Sequence, residues 1–149
     1  MASPREYGGS KAGHLPAVIA VEEIARVYPS LAFILEVTQA PLYMLENYGT
    51  PEQKQTWLPP VIRGEKIAAV AATEPTGGSD LATLNTTAVA DGDGYVLNGR
   101  KVYITNGSVG DIVLVLAKTG ERASILALEK GTPGFIVSRR QDLMGFKSG

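Results

Sequence analysis

Residues 66–80 read KIAAVAATEPTGGSD, in which an apolar run passes directly into a glycine-rich turn. The apolar run, residues 66–73, is typical of a buried β-strand. The turn that follows, Thr73-Glu74-Pro75-Thr76-Gly77-Gly78-Ser79-Asp80, lacks side chains at its glycines and therefore exposes backbone N–H groups. A turn after a strand is most often structural, so this segment alone predicts only a strand and a loop.

The chain from Glu65 onward has the two-residue hydrophobic period of β-strands. The sequence Asp91-Gly92-Asp93-Gly94 is a strong turn signal between two such runs, and it predicts a β-hairpin. A second turn is predicted at Gly131-Thr132-Pro133-Gly134. The predicted strands form an antiparallel β domain over residues 65–149. They cover residues 66–73, 85–90, 95–99, 101–105, 112–118, 124–129 and 135–138.

Residues 12–63 have helical periodicity instead. Pro29 ends the first predicted helix, and Ser30 is the expected N-cap of the second. The second helix, residues 30–45, is apolar on most sides and is expected to be buried and to kink at Pro41. Gly49 is expected to end it in the left-handed conformation.

A third helix is predicted to begin at Thr50-Pro51-Glu52-Gln53, which has the pattern of a capping box. Thr50 is the expected N-cap, and Gln53 is the third helical residue. Pro59-Pro60 is expected to make the second half of this helix irregular or kinked. The predicted fold class is therefore α+β, with an N-terminal α-helical segment over residues 1–64 followed by the β domain over residues 65–149.

The composition excludes several kinds of function. The 149 residues carry 14 Lys+Arg against 15 Asp+Glu, which offers no basic face for a nucleic acid. The absence of cysteine excludes thiolate metal sites and cysteine nucleophiles, and the single histidine, His14, excludes a multi-histidine metal centre. Residues 14–25 are too few and too charged for a membrane span. The sequence shows no basic leader followed by an apolar core, so we expect no signal peptide.

A second segment, Tyr103-Ile104-Thr105-Asn106-Gly107, ends the strand predicted at residues 101–105. An aromatic, a branched apolar and a hydroxyl residue in succession suit a flat polar ring, because the aromatic packs against it and the hydroxyl bonds its edge. Asn-Gly after a strand usually only closes a hairpin, so this segment alone is a weak signal. Together with the turn at residues 73–80, after three predicted helices, it becomes specific.

In this combination the chain resembles the acyl-CoA dehydrogenase family of flavoproteins. The resemblance covers residues 7–147 and rests on five segments in the family's order. They are Tyr48-Gly49-Thr50-Pro51-Glu52-Gln53-Lys54, Ala72-Thr73-Glu74-Pro75 with Gly78-Ser79-Asp80, Asn98-Gly99-Arg100-Lys101, Tyr103-Ile104-Thr105-Asn106-Gly107 and Lys130-Gly131-Thr132-Pro133-Gly134. The resemblance implies a helical N-terminal domain, a middle β-barrel or sandwich domain, and a C-terminal four-helix domain that is missing from residues 1–149.

The same resemblance implies FAD as the cofactor and an acyl-CoA thioester as the substrate, whose α-proton passes to a carboxylate while its β-hydride passes to the flavin. It implies that Thr73 bonds the pyrimidine edge of the flavin and that the Thr105 hydroxyl lies near N5. Ser79 is implied in binding the CoA part, and Phe33 and Val37 in lining the acyl pocket. The residues implied for the cofactor are Val70, Ala72, Thr73, Gly78, Ser79, Tyr103, Ile104 and Thr105.

The catalytic base of the family is a glutamate of the C-terminal domain, so the resemblance implies that it lies beyond Gly149. Glu74 belongs to the flavin loop and is expected to be structural rather than a proton acceptor. We therefore expect no catalytic residue in this chain, weak affinity for FAD and no activity of the chain alone. Tyr103 stands where tryptophan is frequent in the family, and we expect its stacking on the ring to survive the change.

The resemblance also implies an electron-transfer flavoprotein as electron acceptor, and a homo-oligomer, a dimer or a tetramer. The expected location is cytoplasmic, or the mitochondrial matrix in a eukaryote. Two alternatives stay open. The same scaffold supports an acyl-CoA oxidase or a flavin monooxygenase, and the chain is alternatively a non-catalytic truncated module that self-associates through exposed apolar surface.

Overall fold

The computed structural model describes residues 3–145, except for the side chain of Ala82. Lys147, where the sequence resemblance ends, lies outside the described residues. Within that range, the helices precede the strands, as the two hydrophobic periods predict. The elements are α1 (His14–Ala25), α2 (Pro29–Val37), α3 (Gln39–Tyr48), α4 (Pro51–Ile62), β1 (Ala68–Ala71), β2 (Thr87–Asp91), β3 (Gly94–Asn98), β4 (Ile112–Thr119) and β5 (Arg122–Glu129), with short 3₁₀ turns at Arg5–Tyr7 and Leu81–Thr83.

The second predicted helix is in fact two helices, and Ser30 is not its N-cap. Helix α2 begins at Pro29, whose fixed φ and missing N–H suit the first helical position, so the N-cap is Tyr28. Thr38 separates α2 from α3. Pro41 therefore lies in the first turn of α3, where no intrahelical N–H bond is lost. The helix breaks before Pro41 rather than kinking at it.

The end of α3 and the start of α4 differ in how well the sequence predicts them. Gly49 is extended, with a φ of −68°, so the predicted left-handed conformation is wrong. Glycine is needed there because a Cβ would lie 2.7 Å from the carbonyl oxygen of Leu45. The capping box is confirmed: Thr50 Oγ1 accepts from the Gln53 N–H, and Gln53 Oε1 accepts from the Thr50 N–H. Helix α4 continues through Pro59-Pro60 to Ile62, although neither proline can donate an intrahelical hydrogen bond.

The five strands form one mixed sheet around β4. Strands β1 and β2 run parallel to β4, β5 runs antiparallel to it, and β3 pairs antiparallel with β2. The expectation of an antiparallel domain is therefore wrong for the two pairs that β4 makes with β1 and β2. Parallel strands need a long crossover, and here the chain between β1 and β4 contains the whole β2–β3 hairpin. That hairpin is confirmed, with Asp91 opposite Gly94.

Two of the predicted strands are absent. Residues 101–105 do not form a strand, because Tyr103 has a φ of +57°, which ends extended backbone there. Residues 135–138 have no strand pairing, and the N–H of Phe135 instead closes a turn on the carbonyl of Thr132. Ile104 and Phe135 nevertheless pack against the sheet. Each segment thus buries one apolar residue on the sheet without pairing within it, whereas Tyr103 and Ile136 are exposed.

The hydrophobic core has two parts, one on each face of the sheet, because alternate residues of β1 and β4 point in opposite directions. On one face, α3 and α4 pack against β4 through Leu42, Leu45, Leu58, Ile112 and Leu114. On the other face, Ala69, Ala71, Val113 and Val115 are covered by Leu97, Ile104, Leu128 and Phe135. The first part joins residues from both sides of the domain boundary expected between residues 64 and 65, and the second part supports the loops described next.

Candidate functional site

Two loops beside β1 contain most of the residues that the sequence singles out. The first loop, residues 72–80, follows β1 directly. Its turn is closed by reciprocal backbone hydrogen bonds between Glu74 and Gly77. Gly78 lies against Thr73, since a Cβ on Gly78 would lie 3.2 Å from Cγ2 of Thr73. The missing side chain at Gly78 therefore leaves backbone accessible immediately next to the Thr73 side chain.

Glu74 is a buried carboxylate at the base of the first loop, with 5% of its surface exposed. Its Oε2 accepts the N–H of Asn85 at 2.7 Å, and its Oε1 accepts both the N–H and the hydroxyl of Thr86. Lys101 Nζ donates to the same Oε1 at 2.9 Å. Burial raises the pKa of Glu74, but the hydrogen bonds from Thr86, Lys101 and Asn85 outweigh it and lower that pKa to about 2. Glu74 is therefore an ionised anchor, as the sequence predicts, and is unsuited to accept a proton from a substrate.

The second loop, residues 101–107, is fastened to the first by three hydrogen bonds. Lys101 Nζ donates to the carbonyl oxygen of Ala72 at 3.0 Å as well as to Glu74. The N–H of Val102 donates to the carbonyl oxygen of Thr73 at 3.0 Å. The three acceptors, two backbone carbonyls and the Glu74 carboxylate, belong to three consecutive residues, so the second loop holds Thr73 and the residue on each side of it.

The second loop has unusual backbone geometry. Tyr103 and Asn106 have φ values of +57° and +64°, in the left-handed region that residues other than glycine seldom adopt. The N–H of Gly107 bonds the carbonyl of Ile104, and the N–H of Gly110 bonds that of Asn106, so the loop is a series of turns. Strain of this kind concentrates at functional sites. The ring of Tyr103 consequently projects outward, with 68% of the residue's surface exposed.

The structure places the residues predicted to bind the cofactor in these two loops or next to them. The exception is the side chain of Val70, which points away from the loops. Thr73, Gly78, Ile104 and Thr105 are half-buried, and Ser79 and Tyr103 are exposed. The carbonyl of Ala72 is already occupied by Lys101. The Val70 side chain packs against the helical part of the core, on the opposite face of the sheet from Ile104. Phe33 and Val37 lie on α2, which packs mainly against α1 and α3.

The polar groups that remain unpaired at the loops match a flat heterocycle with a polar edge. Neither the hydroxyl of Thr73 nor that of Thr105 has a hydrogen-bond partner among residues 3–145. A hydroxyl is both donor and acceptor, so the two can bond ring nitrogens and carbonyls alike. The bare backbone at Gly78 gives room for a close approach, and Tyr103 supplies an exposed aromatic face. This donor set fits the flavin that the sequence analysis expects.

Sequence reasoning assigned no role to Lys101, which the structure places at the centre of the site. The signal available was an acidic residue, Glu74, at the end of an apolar strand, because such a carboxylate must find a partner when it is buried. The sequence does not say which cation pairs with it, since Lys101 lies 27 residues away in the chain. Thr86, which is 1% exposed and bonds Glu74 through both N–H and hydroxyl, was missed for the same reason.

Other kinds of site are not found in the part of the chain that the structure describes. Among residues 3–145, no group of histidine and acidic side chains is placed to hold a metal ion. Over the same residues, no helix has the length and apolar character needed to span a bilayer. His14 is exposed at the first residue of α1.

In comparisons with known proteins, two family models together match almost the whole chain. The family model described as "Acyl-CoA dehydrogenase, N-terminal domain" matches residues 1–65, and "Acyl-CoA dehydrogenase, middle domain" matches residues 69–148. The chain is 38% identical over 150 residues to the short-chain specific acyl-CoA dehydrogenase of Clostridium acetobutylicum, covering 97% of this chain and 40% of that protein.

Two solved structures are similar in fold as well. Butyryl-CoA dehydrogenase from Megasphaera elsdenii superposes with a TM-score of 0.91 at 36% identity, over 97% of this chain and 40% of that one. The prolyl acyl carrier protein oxidase AnaB superposes with a TM-score of 0.89 at 37% identity, again over 97% of this chain and 40% of that one. The chain therefore spans about 40% of the length of the proteins that it matches.

Proposed function

The chain belongs to the acyl-CoA dehydrogenase family, and on that premise we propose that it forms the flavin-binding part of an enzyme that oxidises an acyl-CoA thioester between Cα and Cβ with FAD. One observation carries the proposal beyond family membership. The two loops are hydrogen-bonded to each other through Lys101 and Val102, and they leave the hydroxyls of Thr73 and Thr105 without a partner among the described residues.

The loop residues have distinct roles in this proposal. Thr73 Oγ1 bonds the pyrimidine edge of the ring, and the accessible backbone at Gly78 together with Ser79 binds the pyrophosphate and ribityl region. Tyr103 and Ile104 lie behind the ring, and Thr105 donates a hydrogen bond near N5, which favours negative charge on the ring. The chemistry that FAD supplies when bound is acceptance of a hydride. Ala72 takes part through backbone that Lys101 already holds.

The proton transfer needs a group that the described loops do not supply. Glu74 is the carboxylate nearest in sequence to the predicted ring contacts. Its buried carboxylate is ionised, and both of its oxygens already accept hydrogen bonds. We place the base outside residues 1–149, and we expect this chain alone to be inactive. Ser79 is proposed to contact the CoA part, while Phe33 and Val37 would line the acyl pocket only if α2 faces it in the complete enzyme.

The wider setting follows the family in this proposal. The electron acceptor is an electron-transfer flavoprotein, the reaction belongs to fatty-acid β-oxidation or a related acyl-CoA oxidation, and the enzyme is a homo-oligomer, a dimer or tetramer. The compartment is the cytoplasm, or the mitochondrial matrix in a eukaryote.

Flavin binding by the chain tests the proposal. We expect FAD to bind weakly but measurably in equilibrium dialysis, because part of the site lies outside these residues. Thr73→Val and Thr105→Val, which replace only the hydroxyl, should each weaken binding by up to about tenfold, the effect of one hydrogen bond. Thr56→Val is the matched control, since Thr56 is exposed on α4, which packs on the face of the sheet opposite Ile104. Absence of FAD binding, or equal affinity in all four proteins, would refute the proposed site.

A second candidate function is an oxidase on the same scaffold, and the similarity to a protein described as a prolyl acyl carrier protein oxidase supports it. The two candidates differ in where the electrons go. In the complete enzyme, both reactions bleach the flavin absorbance when acyl-CoA is added without air. Hydrogen peroxide formed in proportion to substrate under air would favour the oxidase, whereas turnover that depends on an electron-transfer flavoprotein would favour the dehydrogenase.

A further inference from the structure

We propose that Lys101 is a positioning residue for the cofactor: it holds Thr73 in the orientation that presents its hydroxyl to the pyrimidine edge of the flavin. The inference rests on the proposed function, since it concerns the same ring contact. In this scheme Lys101 contacts neither face of the ring and touches no reacting atom. It acts only through the Ala72 carbonyl and the Glu74 carboxylate, which belong to the residues on either side of Thr73.

The geometry of Lys101 supports this role directly. One ammonium group bonds the carbonyl of Ala72 at 3.0 Å and the carboxylate of Glu74 at 2.9 Å, so it spans Thr73. The next residue, Val102, bonds the carbonyl of Thr73 itself. Because β1 ends at Ala71, Thr73 lies beyond the pairing with β4, and these bonds replace the strand ladder at that point.

The burial of the ion pair points in the same direction. The Lys101 and Glu74 side chains are 10% and 4% exposed. Removing two charges from water is costly, and a buried pair is often no more stabilising than apolar residues of the same size. Stability alone is therefore a poor reason for this pair, whereas fixing one geometry is a use that such pairs are known to serve.

Holding Thr73 in place lowers the entropic cost of ordering the loop when the flavin binds. A loop that already holds its donor in place does not lose that freedom on binding, so more of the contact energy appears as affinity. Without the ammonium, the Thr73 hydroxyl still exists but samples other directions. Loss of Lys101 should therefore resemble loss of the Thr73 hydroxyl, and the two losses should overlap rather than add.

The experiment is a double-mutant cycle on FAD binding by the full chain. Lys101→Met removes the charge at similar size, and Thr73→Val removes the hydroxyl. We expect each single variant to weaken binding by about tenfold and the double variant to bind no more than about twofold worse than either. The visible circular dichroism of the bound flavin should change in the same way in both single variants. Arg100→Met is the matched control, because it removes the adjacent, exposed positive charge and should leave affinity within about twofold.

A second variant guards against misfolding. If Lys101→Met alone does not fold, Lys101→Met with Glu74→Gln removes both charges and provides the same cycle against Thr73→Val. Fully additive losses, or unchanged binding and dichroism in the Lys101 variant, would overturn the inference while leaving the proposed function intact. Failure of the unmutated chain to bind FAD would overturn the proposed function and this inference together.

Discussion

The indole Nε1 of Trp57 donates a hydrogen bond of 2.9 Å to Oε1 of Glu129, which joins helix α4 to strand β5. Apolar contacts reinforce this connection, since Trp57 packs against a cluster that contains residues of α3, α4 and β4. The helical and β parts of the chain therefore share one core. We infer that they unfold together and not as independent domains.

Leu58→Ala tests this shared core. Leu58 is fully buried at the centre of the cluster, so truncation leaves a cavity and should lower the free energy of unfolding by about 2–5 kcal/mol. Trp57 fluorescence and far-ultraviolet circular dichroism should report the same urea midpoint. Leu15→Ala is the control, because Leu15 is 71% exposed and its truncation should change stability by less than about 0.5 kcal/mol. Two separate transitions in the unmutated chain would contradict a shared core.

Gly99→Ala should destabilise the chain through the anchor of the first loop. A Cβ at Gly99 would come within 2.6 Å of both Cβ and Cγ2 of Thr86, a short side chain that cannot move aside. Thr86 holds Glu74, so we expect a loss of about 1–3 kcal/mol in urea unfolding. Gly94→Ala, where the nearest atom is 3.8 Å away, should be neutral or slightly stabilising. Equal stability of the two variants would show that Thr86 does not constrain this position.

The ionisation of Glu74 should make stability depend on acid pH. Its pKa is about 2 in the folded chain against 4.5 as the ordinary value, so its contribution is complete above pH 4.5 and is lost as the pH falls toward 2. We expect unfolding free energy to fall by about 2–3 kcal/mol over that window from this group. Glu74→Gln should remove that part of the pH dependence. Glu65→Gln, at an exposed ion pair with Arg63, should change it far less, and the reverse order would contradict the assignment.

The strain at Tyr103 predicts that glycine is tolerated there. A left-handed φ costs residues other than glycine about 1–2 kcal/mol, and the ring is mostly exposed, so little packing is lost. Tyr103→Gly should therefore keep the stability of the chain or raise it by up to about 1 kcal/mol in urea unfolding. Tyr95→Gly is the comparison, because Tyr95 is similarly exposed but extended within β3, and its replacement should cost about 1 kcal/mol. A larger loss at Tyr103 than at Tyr95 would rule out strain relief.

Local patterns in the sequence predict the local elements well. The capping box at Thr50 and the hairpin turn at Asp91 are both present, because each depends only on residues within a few positions of one another. Two of the errors in the helical part, at Ser30 and Gly49, arise where the same residue suits two different local structures. At Gly49 the reason for glycine is the closeness of the Leu45 carbonyl and not a positive φ.

The sequence by itself determines the α+β order of the chain and its family, and it singles out the two segments that we propose bind the flavin. Only the tertiary structure decides the parallel pairing of β1 with β4 and the meeting of Glu74 with Lys101. The physical reason is the separation along the chain between the residues that interact. Periodicity and capping follow from neighbours in the chain, whereas strand direction and the partner of a buried charge depend on residues tens of positions away, which only the packed core brings together.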